Sequence, residues 1–128
     1  EVSLVDGALL VGMMPDSRKC LDVRRDPRVV LLTPVADKRD LDGEGKLFGR
    51  LVEISGTPGA EEFLAASAEA AGMDPAALAG SPTFQLDVEA AAWQFVVDDT
   101  FRTRSWDPER GVRERGRIGA SGQVVDLA

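Results

Sequence analysis

Apolar and polar positions change period several times along this chain, and each change marks an element. Residues 2–5 and 8–14 are apolar runs on either side of Asp6-Gly7. That dipeptide accepts the backbone angles of a tight turn, so the pair predicts a β-hairpin. Pro15 stops the second run, and Asp16 or Ser17 can cap a helix running from Ser17 to Arg25. The amphipathic pattern of that helix is modest, and Asp26-Pro27 ends it. Arg28-Val29-Val30-Leu31-Leu32-Thr33 is nearly continuous in apolar character and predicts a strand buried on both faces. Residues 34–45 are a polar loop. Lys46 to Ile54 predicts another strand, with Gly49 marking a bulge, a bend or a close backbone approach.

Ser55-Gly56-Thr57-Pro58-Gly59 breaks the pattern, and Ala60 to Ala71 then predicts an alanine-rich helix. Phe63, Leu64, Ser67 and Ala71 make its inner face and Gly72 its end. Pro75 to Ala79 adds a helical turn. Thr83 to Val88, Ala90 to Val97 and Thr100 to Trp106 read as strands, with Asp98-Asp99 a turn between the last two. Asp107 to Gly111 is a further turn, and Val112 to Arg117 a short edge strand. The glycine-containing tail, residues 119–128, reads as loose. No repeat or linker divides the chain, so residues 1–118 are expected to form one domain. The connections are too short for a doubly wound parallel sheet. The order predicts a mainly β, α+β fold: a small antiparallel β-barrel with two or three peripheral helices.

Composition narrows the chemistry. The 128 residues are 44% apolar and 29% charged, with a net charge of −7; the pI is near 4.6. That balance disfavours nucleic acid as a partner. No apolar run approaches the roughly 20 residues of a membrane-crossing helix, so no membrane partner is expected. One cysteine, Cys20, leaves no internal disulfide and fits a reducing compartment, so the expected location is cytoplasmic. The chain starts at Glu1 with no methionine, which reads as a fragment or as missing first residues. There is no histidine. The commonest general base, the Ser-His-Asp triad, a thiolate–imidazolium pair and most zinc sites are therefore excluded. No metal site is expected, no catalytic side chain can be named, and an enzyme built this way would take its chemistry from a cofactor.

One stretch suggests a ligand class. Gly12-Met13-Met14-Pro15-Asp16-Ser17-Arg18-Lys19-Cys20 places a hydroxyl, open backbone N–H groups and two cations at a helix start. A phosphate monoester fits those groups. Arg24, Arg25 and Arg28 read as solvated or as partners of Asp22 and Asp26. Met13 and Met14 read first as core residues. Cys20 is expected to be small and buried. Trp93 and Trp106 are expected to be covered by the barrel or by a second copy. The arginines from Arg102 to Arg117, interleaved with Glu109 and Glu114, read as a polar edge that discourages strand aggregation.

The string Gly12 to Lys19, then Asp26-Pro27-Arg28-Val29, then a leucine-rich strand resembles the pyridoxamine 5′-phosphate oxidase-like family. Lys46 to Glu53 with its central Gly49 matches as well. The resemblance covers roughly residues 1–56; the later helix and strands match in order and length. It implies the flavin-binding split β-barrel fold, a homodimer, and FMN or a deazaflavin in a groove between subunits. The family's first helix and strands have no counterpart here, and Glu1 is read as falling just after them. By the resemblance, Arg18 and Lys19 fall where the cofactor phosphate is held. Ser17 is a further phosphate donor, Gly12 and Met13 run beside the flavin, and Lys46 lies where a cation is common near the cofactor. Glu44 stands near the position of a glutamine in the vitamin oxidase itself, so that particular activity is not implied. The expected function is hydride transfer to or from a small organic substrate. The alternative is a non-catalytic split barrel that binds a cofactor or a partner. Haem chemistry is disfavoured by the absence of histidine.

Overall fold

The structure is a computed structural model that describes residues 2–34, 43–118 and 122–127. Asp6 and Gly7 turn the chain through φ of 47° and 81°, the left-handed pair that a two-residue hairpin demands. They join β1 (Val2–Val5) to β2 (Ala8–Gly12), with Val5 opposite Ala8 and Val2 opposite Val11. After Pro15 comes α1 (Arg18–Arg25), then β3 (Arg28–Leu32) and β4 (Glu44–Glu53). The Leu51 N–H donates to Pro27 and the Thr33 N–H to Gly45. The partners step in opposite directions by equal amounts, which makes β3 and β4 antiparallel. Most of the expected polar loop, residues 35–42, lies outside the described residues.

Thr57 caps α2 (Pro58–Ala70) by accepting the Ala60 N–H, and proline occupies the first turn where no donor is needed. Its buried face is Ala60, Phe63, Leu64 and Ala68: of the predicted set Phe63 and Leu64 are buried, Ser67 is half-buried and Ala71 is exposed. A 3₁₀ turn (Pro75–Leu78) follows, then β5 (Thr83–Val97), β6 (Thr100–Asp107), β7 (Gly111–Ile118) and β8 (Gln123–Asp126). The two strands expected between 83 and 97 are one. Gln85, Asp87 and Glu89 are all exposed at every second position, so the charges that suggested a break are the outward half of an unbroken alternation.

The sheet runs β1-β2-β5-β6-β7-β8, with β4 also on β5 and β3 on β4. The ladders of the main path are all antiparallel. The fold is therefore mainly β, α+β, on an antiparallel sheet. β7 is flanked on both sides and is no edge. The tail contributes β8 because Gly116 leaves a slot for Leu127: a Cβ there would lie 2.9 Å from the leucine Cδ1. Arg115 also pairs with Asp126 at 2.9 Å.

The chain forms two compact units. The first holds Glu1–Val29 and Arg50–Asp87, the second Val30–Gly49 and Val88–Ala128. In the first, Leu10, Phe63 and Leu64 form a core with Val5, Ala8, Ile54 and Leu78 packed around it. Among the described residues every buried apolar side chain belongs to this unit. The second is a sheet whose apolar residues are half-exposed. β3 is accordingly not buried on both faces: Val30 is 50% and Leu32 62% exposed.

Candidate functional site

The turn between β2 and α1 is built by Ser17. Its Oγ accepts the Cys20 N–H at 3.2 Å and donates to the Met14 carbonyl at 2.9 Å. The first bond caps α1 and the second ties the cap to the chain leaving β2. Both roles of the hydroxyl are thus spent on the turn, so Ser17 shapes the site more than it offers a proton to a ligand. Cys20, fully buried, and Val23 hold α1 against the first unit. No acidic residue lies in the first turn, and the N–H groups of Arg18 and Lys19 are the open donors that helix geometry leaves there.

The cations sort by partner. Arg18 meets Asp22 at 3.4 Å with its side chain 83% exposed, and Arg25 meets the same carboxylate at 3.1 Å. Arg28 grips Asp26 through two nitrogens, which holds the Asp26 carboxyl far below the usual carboxylate range, chiefly by that side-chain bond. Arg24 makes a two-pronged bond to Glu53 at 3.1 and 2.6 Å. That bond raises Arg24 and, joined by a hydroxyl bond from Ser55, lowers Glu53. Lys19 is exposed and has no ion-pair partner among the described residues.

Gly12 and Met13 lie just before this turn. They line a cavity of about 400 Å³ with Met14, Pro15, Phe63 and Leu64. A Cβ on Gly12 would stand 3.5 Å from Phe63 and 3.6 Å from Leu64, which is ordinary contact, so glycine is not sterically required. The Met13 N–H already donates to Pro82 at 2.9 Å. The two methionines part company: Met13 is buried and Met14 is 75% exposed.

Gly12, Met13, Ser17, Arg18 and Lys19 thus form one continuous segment of the first unit. Lys46 and Glu44 sit on the portion of β4 that belongs to the second. Lys46 lines a cavity of about 330 Å³ with Trp93, Arg104 and Trp106. Within this chain Trp93 is 39% and Trp106 37% exposed.

The sequence reading took the arginines from Arg102 to Arg117 as a polar edge; on the paired strands β6 and β7 Arg102 and Arg104 are gathered around Glu114. Glu114 accepts from Arg102 at 3.2 Å and from Arg104 at 3.0 Å. These bonds, Arg104 first, hold its carboxyl below the ordinary range. Arg113 pairs with Asp107 at 3.0 Å. The register that sets Arg104 opposite Glu114 follows from the Asp107–Gly111 turn, which was the available signal. The described residues hold no group of three acids, cysteines or histidines able to bind a metal, and no helix is long and apolar enough to cross a membrane. Compared with known proteins, the chain matches no family model and no curated protein sequence.

Proposed function

We propose that this chain is a cytoplasmic FMN- or deazaflavin-dependent oxidoreductase of the pyridoxamine 5′-phosphate oxidase-like kind, acting as a homodimer on a small organic substrate. The observation that carries the reading is the start of α1. A helix N-terminus is the positive end of the backbone dipole, where acids are favoured and cations cost stability. Here the first turn holds Arg18 and Lys19 and no acid. Such an arrangement gains only when an anion docks on it. The open N–H groups, the uncommitted Lys19 and the loosely held Arg18 fit a phosphate monoester.

In this reading Arg18 and Lys19 hold the cofactor phosphate and Ser17 fixes the turn that presents them. Gly12 and Met13 carry the chain along the cofactor's flank. The bound flavin would supply the hydride chemistry, and the protein contributes position and electrostatics. The exposed Val30, Leu32 and Phe48 of the second unit favour a second copy of the chain as their cover.

Among the described residues, every carboxylate whose pKa is shifted is bonded to an arginine side chain or to turn backbone groups. None is poised as an acid or base, which keeps a cofactor-binding protein without catalysis as the second reading. The test is a titration with FMN and with a deazaflavin, followed by the visible absorbance band. Saturable binding of either that Lys19→Glu abolishes supports the phosphate site. Binding of neither, or binding indifferent to Lys19→Glu, removes it. Turnover of a reductant by the loaded protein then separates the enzyme from the carrier.

A further inference from the structure

The second unit contains a cavity for which the phosphate site has no use. Trp93, Trp106, Ala91, Val112 and Lys46 are among the residues that line it. Its volume, about 330 Å³, lies at the small end of the range for small-molecule sites. β5 and β6 place Ala91 directly opposite Trp106, so a large side chain faces a small one and a gap opens between the indoles. Gly45 sets the other wall: a Cβ there would lie 2.7 Å from the Trp93 ring and 3.0 Å from Thr33. Only the bare backbone lets the indole lie against β4.

Two of the polar side chains around the gap are already engaged. The Thr33 hydroxyl accepts the Gly45 N–H at 2.8 Å. Arg104 is bound to Glu114 through two nitrogens and lies over the Phe95 ring. Lys46 has no ion-pair partner among the described residues. An apolar slot between two indoles with one unspent ammonium suits a flat ring that carries one negative charge.

We propose that this cavity is a binding site for a small aromatic carboxylate, with the ring between Trp93 and Trp106 and the carboxylate on Lys46. It is separate from the phosphate site at α1 and stands whether or not the chain binds flavin.

The chain supplies its own reporter. Trp93 and Trp106 are its only tryptophans and it has no tyrosine, so intrinsic emission reads the cavity walls directly. The experiment titrates flavin-free protein with 3-phenylpropionate and with its uncharged counterpart 3-phenylpropan-1-ol, following tryptophan emission. The expected result is a saturable change with the acid and weaker binding of the alcohol. Lys46→Met should then weaken the acid about ten- to one-hundredfold and leave the alcohol unchanged. Ala91→Leu, which fills the floor and leaves Lys46 in place, should abolish both. Equal binding of acid and alcohol, or acid binding indifferent to Lys46→Met, overturns the proposal. So does emission that changes with protein concentration alone as the mass doubles, because a second copy then fills the gap. Displacement of the acid by FMN also overturns it, since the cavity would then belong to the cofactor.

Discussion

Lys19→Glu separates the two roles of the α1 start by driving them in opposite directions. Lys19 is exposed in the first helical turn and has no ion-pair partner among the described residues, so the change removes no such contact. A cation there is disfavoured, and an acid favoured, by about 0.3–1 kcal/mol each at low salt. Reversal therefore gains about 0.6–2 kcal/mol. The new acid stands three residues from Asp22, a like-charge pair that costs about 0.2–0.5 kcal/mol. The net gain is about 0.1–1.8 kcal/mol, a rise in Tm of up to about 7 °C for a chain of this length. Affinity for FMN moves the other way: a charge-assisted hydrogen bond is worth about 1.5–3 kcal/mol, a loss of ten- to one-hundredfold before repulsion is counted. Scanning calorimetry without ligand and an FMN titration of the same preparation measure both. Near 1 M salt, where screening acts within about 3 Å, the gain in Tm should vanish. A lower Tm at low salt would show that Lys19 holds the fold, and unchanged FMN affinity would show that it holds no phosphate. Either result refutes the reasoning.

Two further substitutions probe the units separately. Phe63→Ala empties the centre of the first unit's core. It should cost about 3 kcal/mol, the low end for such a truncation, because cavities of about 400 and 570 Å³ already flank the ring; a fall in the urea midpoint worth less than about 1 kcal/mol would place the ring outside the core. Glu114→Gln tests the arginine cluster through pH. Because Arg104 and then Arg102 hold the Glu114 carboxyl low, its contribution is complete above the unfolded value of about 4.3 and is lost as pH falls through the lower folded value. The variant should be less stable than the parent at pH 7, and the difference should close as pH drops below about 4. A pH-independent difference would mean that the charge of Glu114 is irrelevant.

Much of the fold could be read from local signals. Asp6-Gly7, Ser17 before Arg18, Asp26-Pro27 and Thr57-Pro58 each act within a few residues, and each sits where the structure turns or caps. The errors arose where a distant partner decides. Val30 and Leu32 looked doubly buried because apolar runs carry no record of whether a second layer exists. β8 escaped because its seat is Gly116, several residues upstream on another strand. Of the candidate site, the segment from Gly12 to Lys19 was legible because one turn gathers it. The surroundings of Lys46 were not, since Trp93 and Trp106 reach it only through strand pairing.

The length of β5 has a consequence for how this chain acquires its structure. Thr83–Gln85 of that strand pair with β2, while Ala91–Val97 pair with β6. The second pairing is closed by Asp98-Asp99, a two-residue turn that forms in microseconds. The first joins Leu10 to Gln85, which requires closing a loop of most of the intervening chain before any hydrogen bond repays it. The meander from β5 to β7 is therefore the cheap nucleus, and the hairpin of β1 and β2 must wait for β5 to be laid down. In synthesis from the N-terminus, that leaves an apolar hairpin unpaired along one side until the roughly seventy residues separating β2 from its partner segment of β5 have emerged.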